Sequence, residues 1–340
     1  MNRKPDLLAI QNYLQSVDLS AVPGWEKNQE VKIFHLAQGE YNLNYRLQQG
    51  SRQWVFRINL GTQNNRDDQI MYEYQALCLL ADTGVTPRPF FVDDSREHLP
   101  YGVLLMEYLP GDPLDYERDL EGAARLFSRI HSQSAKLTDH HLIVEAYPLS
   151  MTYNECADLL QVYFDSELSD PDIFTYLQEV LDWAKEARHK ESYFISDPWP
   201  CVINTEVNSG NFIVNRDAGS LHLVDWEKPL WGDPSQDLSH FCVPTTTLWK
   251  TRYRMPPADR EKFLSTYCAA MRDTHLSDTI IERVRLRDPF NCLRGISWSA
   301  MAWISYQNED HALKNEDTFR KIEEYLQLDF LQSLFSKILS

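Results

Sequence analysis

Hydrophobic and polar positions change their spacing part-way along the chain. Up to residue 109, short apolar runs between polar turns predict strands over 31–34, 44–47, 53–58, 90–92 and 102–106, with helices over 5–16 and 68–80. Beyond the cluster Pro110-Gly111-Asp112-Pro113, apolar positions recur at helical spacing and predict helices over 117–134, 151–165, 170–189, 258–273, 278–285, 288–307 and 316–338. We therefore expect an α+β fold, with a small antiparallel-sheet lobe (1–109, ending in a hinge) and a large helical lobe (110–340).

Composition narrows the classes of protein that fit this pattern. The formal net charge of −17 disfavours a nucleic-acid partner, because phosphate binding needs clustered Lys and Arg. No apolar run is long enough to span a membrane, and the N-terminus does not have the pattern of a signal peptide. The six cysteines are widely spaced and form no CxxC pair, which favours free thiols in the cytoplasm over a zinc or redox site.

One strand-like stretch, 202–225, interrupts the helical half. A polar loop ending at Asn211 leads into a strand over 212–214, a turn over 217–219 and a second strand over 221–224, followed by Asp225. A hairpin brings the residue before its first strand close to the residue after its second. The spacing therefore predicts that Asn211 and Asp225 are neighbours, with Glu206 near them.

These residue types suit phosphoryl transfer. Mg²⁺ prefers hard oxygen ligands, which a carboxylate (Asp225) and an amide (Asn211) supply. Glu206, five residues before Asn211, is placed to accept a proton from an attacking hydroxyl. The structural alternative is that Asp225 is only a turn residue or a helix cap, which is common after an apolar strand.

The same stretch resembles the active-site region of the aminoglycoside phosphotransferase family, which also includes choline kinase-like and homoserine kinase-like enzymes. The family pattern is roughly His-Gly-Asp-x-x-x-x-Asn, two short strands, Ile-Asp-Trp/Phe-Glu, and then Gly-Asp-Pro with an Asp soon after. This chain gives Asn204-Thr205-Glu206, Asn211, Val224-Asp225-Trp226-Glu227, Gly232-Asp233-Pro234 and Asp237. The resemblance implies a two-lobed protein-kinase-like fold, with metal on Asn211 and Asp225, Glu206 at the catalytic position, and Asp237 as a structural brace.

The resemblance extends to the small lobe. A loop over 36–42 is similar to the family's Gly-x-x-Asn loop, which implies nucleotide contacts at Gly39 and Asn42; a plain hairpin turn is the alternative. Arg57 lies between apolar strand neighbours and needs a partner or a ligand. The family places a phosphate-binding cation there and pairs it with a helix acid, here Glu73; a solvated surface pair is the alternative. The backbones of Glu107 and Leu109 match the hinge that binds adenine.

Two groups of residues have structural interpretations that we prefer. His131, His222 and His240 lack metal-like spacing and are expected to be structural. Trp298 and Trp303 could contact an ammonium group of an acceptor, but such a stripe is more often core.

The resemblance implies an enzyme that uses ATP and Mg²⁺ to phosphorylate a small hydroxylated molecule, and the acidic composition slightly favours a cationic one. Candidate acceptors are amino alcohols, aminoglycosides, sugar derivatives and nucleosides, bound by the segments 145–190 and 245–295. Because Asn204 and Glu206 replace the usual His and Asp, a nucleotide-binding pseudokinase remains open. An α/β hydrolase is disfavoured, since the chain has no Gly-x-Ser-x-Gly elbow. The sequence does not indicate an oligomeric state.

Overall fold

The structure is a computed structural model that describes residues 5–39, 41–61, 66–135, 138–271, 274–307 and 316–339. Within these ranges the strands are β1 Lys32–Gln38, β2 Asn42–Gln49, β3 Arg52–Asn59, β4 Pro89–Asp93, β5 Gly102–Glu107, β6 Cys201–Ile203, β7 Phe212–Asn215, β8 Ser220–Leu223 and β9 Leu230–Gly232. The helices are α1 Leu7–Ser16, α2 Gln69–Leu80, α3 Tyr116–Ser134, α4 Pro148–Phe164, α5 Pro171–Ala187, α6 Ser192–Ile195, α7 Ser235–Cys242, α8 Pro244–Lys250, α9 Pro257–Met271, α10 Thr274–Gln307, α11 Glu316–Tyr325 and α12 Leu328–Leu339.

The chain divides into two units, each built from three segments. The first unit, Met1–Leu114, Lys136–Ile143 and Asn211–Pro229, contains the predicted sheet and also the β7–β8 hairpin. The second unit, Asp115–Ala135, Val144–Gly210 and Leu230–Ser340, contains most of the helices together with the paired strands β6 and β9.

The sheet of the first unit has the strand order β1-β2-β3-β5-β4, and every neighbouring pair is antiparallel. The predicted β2–β3 hairpin is present, and Gly50 supplies the positive φ of 58° that its turn requires. Ile10 and Tyr13 of α1 belong to the apolar core of this sheet. Because β3 lies centrally and is buried along most of its length, any charged side chain on it must find partners inside the protein.

The β7–β8 hairpin joins the rest of the first unit through backbone hydrogen bonds. Val214 and Asp112 exchange two of them, at 2.8 and 3.0 Å, and the Leu223 N–H donates to the Val85 carbonyl at 2.9 Å. Gly111 is required at this junction, since a Cβ there would lie 2.7 Å from the Val214 carbonyl oxygen. The Pro-Gly cluster over 110–113, which the sequence indicated as a boundary, is therefore the segment that binds this hairpin.

One apolar core of the second unit is formed mainly by α4, α5, α10, α11 and α12. Trp298 and Trp303 pack against it, as the core interpretation of the aromatic stripe predicts. Trp298 also meets Trp249 edge-on, with ring centroids 5.4 Å apart. Among the residues that the structure describes, no helix combines the length and apolar character needed to cross a membrane.

Several predicted boundaries in the helical half are wrong. The separate helices over 278–285 and 288–307 form one helix, α10, which continues through Pro289. Proline removes one helical hydrogen bond, but Phe290, Leu293 and Ile296 just beyond it are buried in the core and hold the helix in place. The predicted helix over 316–338 is two helices, α11 and α12, each with its own buried face.

Other elements lay outside the sequence prediction. The short helices α7 and α8 and the strand β9 were not predicted, because each is too brief to show a clear period. The last two positions of the predicted helix 258–273, and Glu40 of the predicted loop 36–42, lie outside the described residues.

Candidate active site

Arg57 is a charged side chain inside the sheet of the first unit, and it is only 5% exposed. Its Nη1 donates to Glu73 Oε1 at 2.5 Å and to Asp225 Oδ1 at 3.0 Å, while its Nε donates to Asn44 Oδ1 at 3.0 Å. The predicted pairing of Arg57 with Glu73 is therefore present. The contact with Asp225 joins it to the residue predicted to bind metal.

Three elements position these side chains. Arg57 on β3 is directly opposite Asn44 on β2, so both project from the same face of the sheet. Glu73 lies on α2 and is 2% exposed. Asp225 lies just beyond β8 and has a φ of 65°, a left-handed conformation that Asp tolerates better than most residues.

Asn211 and Asp225 stand at the same end of the β7–β8 hairpin. Phe212 pairs with Leu223 in the strand register, and the Val224 N–H donates to the Asn211 carbonyl at 2.8 Å. The hairpin thus makes Asn211 and Asp225 neighbours, as its spacing predicts. The side chain of Asp225 is 27% exposed, so its carboxylate can reach a ligand while it contacts Arg57.

Glu227, two residues after Asp225, anchors the same segment to the sheet. Its Oε2 accepts a hydrogen bond from Asn42 Nδ2, and its backbone carbonyl accepts one from Gln69 Nε2 at 2.6 Å. Asn42 Oδ1 in turn accepts from Asn59 Nδ2 at 3.0 Å. Asn42 is 4% exposed, so in this conformation its side chain is committed to the internal network.

Arg57 has three carboxyl groups nearby. Burial disfavours the charged guanidinium, but Glu73, Asp225 and Glu227 outweigh that effect and raise the pKa of Arg57. Burial and the charge of Asp225 in turn raise the pKa of Glu73, although Arg57 opposes that shift. Arg57 is thus held in its charged form.

The remaining predicted nucleotide contacts lie elsewhere in the first unit. Gly39 follows β1, and its N–H donates to the Asn42 carbonyl at 2.9 Å. Glu107 is the last residue of β5 and pairs with Trp54 of β3, which is three residues from Arg57 on that strand. The Glu107 N–H donates to the Arg88 carbonyl at 2.8 Å. Leu109, two residues further on, is half-buried. Their roles toward a nucleotide stay predictions.

Glu206 belongs to the second unit and lies in a loop that Asp237 holds from within. The buried carboxylate of Asp237 accepts hydrogen bonds from the N–H groups of Asn204 and Thr205 at 2.8 and 2.9 Å. Asn204 Oδ1 then accepts from the Glu206 N–H at 2.9 Å. Since Asn211 and Asp225 belong to the first unit, the predicted proximity of Glu206 to them stays a prediction.

Arg294 of α10 contacts the same loop. Its Nη1 donates to the Thr205 carbonyl at 2.8 Å, its Nε donates to Glu155 Oε2 at 3.1 Å, and its Nη2 lies 3.8 Å from Glu206 Oε1. Burial disfavours the charged guanidinium, but Glu155 and Glu206 outweigh it and raise the pKa of Arg294. The candidate base is therefore paired with a fixed positive charge.

The three histidines that were predicted to be structural lie on α3, β8 and α7. His131 is 1% exposed; its Nδ1 lies 2.9 Å from the Tyr267 hydroxyl and its Nε2 3.4 Å from Asp237 Oδ2. His222 is on β8 and half-buried. Burial, together with the charge of Arg294, lowers the pKa of His240 to about 3, so this imidazole is neutral.

Sequence reasoning left three residues of these networks without a role: Glu227, Arg294 and Glu155. Glu227 stands in the quoted motif, and that placement was the available signal. Arg294 interrupts an apolar helical stretch, which is the same kind of signal that pointed to Arg57. Glu155 gives no signal, because an acid on a helix is ordinarily solvated.

Known proteins resemble this chain in sequence pattern and in fold. A sequence profile described as the phosphotransferase enzyme family matches residues 34–276, which is more than half of the chain. No curated protein sequence matches the chain.

Solved structures match at low identity but over almost the full length. Choline kinase of Cryptosporidium parvum Iowa II is 13% identical, covers 94% of this chain and 95% of its own, and has a TM-score of 0.65. Ethanolamine kinase of Plasmodium vivax is 13% identical, with 99% and 91% covered and a TM-score of 0.67. A spectinomycin phosphotransferase solved with ADP and spectinomycin is 13% identical, with 91% and 92% covered and a TM-score of 0.60. The predicted fold class is confirmed.

Proposed function

The chain belongs to the phosphotransferase enzyme family, and from this we propose that it is an ATP- and Mg²⁺-dependent kinase of a small hydroxylated molecule. The observation that carries the proposal is the buried guanidinium of Arg57, shared between Glu73 and the partly exposed carboxylate of Asp225. A fixed cation next to an available carboxylate suits the binding of phosphates and of a metal ion. The ADP bound to the spectinomycin phosphotransferase supports a nucleotide as the ligand.

The residues at the end of the β7–β8 hairpin fit a magnesium ion. Asp225 offers a carboxylate and Asn211 an amide oxygen, the hard donors that Mg²⁺ takes together with water and phosphate oxygens. Within the described ranges, no group of three or more His, Cys, Asp or Glu side chains is arranged to hold a metal. When bound, Mg²⁺ would neutralise charge on the transferred phosphate.

The chain's own residues supply the remaining functions. Arg57 would bind phosphate oxygens, held in place by Glu73, while the backbone at Gly39 and the loop that Asn42 anchors would cover them. Backbone groups of Glu107 and Leu109 would hydrogen-bond the adenine edge.

Glu206 would accept the proton of the acceptor hydroxyl. The hydroxyl oxygen would bond to the γ-phosphorus as the bond between that phosphorus and the leaving ADP oxygen breaks. Asp237 would brace the loop that carries Glu206, through the N–H groups that it binds.

The first 109 residues would form the nucleotide-binding lobe and residues 110–340 the lobe for the acceptor. Composition bears on the acceptor and on the compartment. The net charge of −17 favours a cationic acceptor over nucleic acid. Choline, ethanolamine and spectinomycin appear in the names of the structural relatives, and amino alcohols and aminocyclitols of that kind are the first acceptors to test. The free cysteines suit the cytoplasm.

A pseudokinase is the second candidate. The observation in its favour is that Glu206, where the family has Asp, faces the guanidinium of Arg294 at 3.8 Å. A carboxylate held by such a pair could be too strongly stabilised in its ionised form, or too far displaced, to accept a proton. This candidate would bind ATP and Mg²⁺ without transferring phosphate.

The decisive experiment has two stages. Thermal unfolding is first measured with millimolar ATP, with and without Mg²⁺; a kinase or a pseudokinase is expected to be stabilised by several degrees in the presence of both. A phosphate-transfer screen over amines, amino alcohols, sugars and aminoglycosides follows. Transfer to any acceptor supports the kinase, and stabilisation without transfer supports the pseudokinase. If ATP with Mg²⁺ produces no stabilisation, both are rejected.

A further inference from the structure

Arg294 binds the loop around Glu206 at both its backbone and its side chain. Its Nη1 donates to the Thr205 carbonyl at 2.8 Å, and its Nη2 lies 3.8 Å from Glu206 Oε1. The third direction of the guanidinium, Nε, is occupied by Glu155 at 3.1 Å. A planar fork with fixed donors holds its three partners in set directions, whereas the three donors of a lysine ammonium rotate about a single nitrogen.

Thr205 adopts a strained conformation at the point where these contacts meet. Its φ is 70°, which is rare for a β-branched residue. The peptide groups on either side are fixed from two directions: Asp237 accepts from the Thr205 N–H, and Arg294 donates to the Thr205 carbonyl. Strain of this kind persists only where surrounding contacts enforce it, and it often marks a functional loop.

Arg294 continues a polar face that runs along α10. Spacings of four, four and three residues place Arg283, Arg287, Asn291 and Arg294 on one side of the helix. Arg283 donates to Asp233 at 2.5 Å, Arg287 to Glu145 at 2.8 Å, and Asn291 to Ser239 at 2.9 Å. Asp233 and Ser239 lie within four residues of Asp237 in the sequence, and Glu145 Oε2 accepts from the Asp233 N–H at 3.3 Å. Of the four side chains on this face, Arg294 is the one whose described contacts reach Glu206.

We propose that Arg294, held by Glu155, is the positioning residue that sets the carboxylate of Glu206 for phosphoryl transfer. This inference rests on the proposed function. Glu206 is one methylene longer than the aspartate that the family places there, so its carboxylate needs a new point of attachment to stay in register with the reacting atoms. The Arg294 guanidinium supplies it. An aspartate at position 206 would withdraw from this guanidinium by roughly an ångström, a displacement that can cost about 10²-fold in rate.

The test compares Arg294→Met with Arg285→Met in the full chain. Arg285 is on the same helix, but its side chain is 80% exposed and pairs only loosely with Glu282 at 3.7 Å, so the same substitution there is a matched control. Steady-state kcat and the KM for ATP are measured for Mg-ATP hydrolysis, in which water replaces the unidentified acceptor. Amide hydrogen exchange across residues 203–208 is measured in parallel.

We expect Arg294→Met to lower kcat by about 10²-fold with the KM for ATP unchanged within about twofold, because the nucleotide contacts are not involved. Arg294→Lys keeps the charge but not the fork, and about a tenfold loss of kcat is expected for it. Exchange across 203–208 should accelerate in Arg294→Met and remain at the wild-type rate in Arg285→Met.

Three results would overturn the inference: a rise in KM with kcat unchanged, equal effects of Arg294→Met and Arg285→Met, or unaltered exchange across 203–208. If Arg294→Met does not fold, Glu155→Gln replaces it, since this change removes the charge that holds Arg294 and keeps the shape of the side chain. If the wild type binds Mg-ATP but neither hydrolyses it nor phosphorylates any acceptor of the screen, the proposed kinase activity fails. The exchange measurement alone then decides whether Arg294 positions the loop.

Discussion

Arg57 Nη1 and Asp225 Oδ1 are 3.0 Å apart, although 168 residues separate them in the chain. The candidate phosphate-binding cation and the candidate metal-binding carboxylate are therefore hydrogen-bonded to each other within one unit. Asp225 is the partly exposed member of the pair, whereas Arg57 is buried. Loss of either side chain is expected to change how the other meets a nucleotide.

The first prediction concerns Asp225. Asp225→Ala removes the proposed metal carboxylate but leaves Arg57 paired with Glu73, so the fold should persist. We expect the affinity for ADP measured by calorimetry with Mg²⁺ to fall at least tenfold, since even the partners of metal ligands are worth about 10–100-fold. Asp217→Ala, in the exposed turn at the other end of the hairpin, is the control. An unchanged magnesium dependence in Asp225→Ala would refute the assignment.

The second prediction concerns the buried pair of Arg57 and Glu73. Glu73→Met leaves a buried guanidinium with Asp225 as the one described carboxylate still in direct contact, and it should destabilise the protein by about 3 kcal/mol. The double variant Arg57→Met/Glu73→Met buries no charge and should regain part of that loss while nucleotide binding stays weak. Chemical denaturation of Arg57→Met, Glu73→Met and the double variant measures the coupling. Additive free energies of unfolding would show that the pair contributes nothing.

The third prediction separates the charge of Glu206 from its length. Glu206→Gln keeps the shape but cannot accept a proton, so phosphate transfer should fall by about 10²–10⁴-fold. Glu206→Asp restores the residue usual in the family but draws the carboxylate away from Arg294, and about 10²-fold loss is expected. Calorimetry with ADP should give wild-type affinity for both variants. A Glu206→Gln variant as active as the wild type would exclude Glu206 as the base.

The fourth prediction concerns acid stability. Burial and the nearby charge of Arg294 lower the pKa of His240 to about 3, against opposing contributions from Asp237, the Thr205 backbone and Glu155. A depressed pKa means that the unfolded chain binds the proton more tightly, so stability is full above pH 6.5 and is lost as the pH falls toward 3. By linkage, one such group costs up to about 2 kcal/mol between pH 6.5 and pH 5.

His240→Gln removes this titration. We expect its free energy of unfolding, measured by urea titration at several pH values, to be less dependent on pH over that interval than that of the wild type. Parallel pH profiles for the two proteins would mean that His240 is protonated with equal ease in the folded and unfolded states.

Local patterns in the sequence determined much of this protein. A short apolar run predicted the strand that carries Arg57, and the hairpin spacing predicted that Asn211 and Asp225 are neighbours. The apolar strand around Arg57 also indicated a buried charge in need of a partner. These features depend on periods of two or four residues and on tight turns, and both are determined by residues that are close together in the sequence.

Tertiary structure alone decided the contacts that join distant segments. Asn42 binds Glu227 across 185 residues, and Arg294 reaches Thr205 across 89. The sequence predicted separate helices over 278–285 and 288–307, a break that would have taken Arg283 off the helix face that carries Arg294. Packing of the residues beyond Pro289 kept the helix continuous. Side-chain networks of this kind follow from how whole elements pack, so no local period in the sequence encodes them.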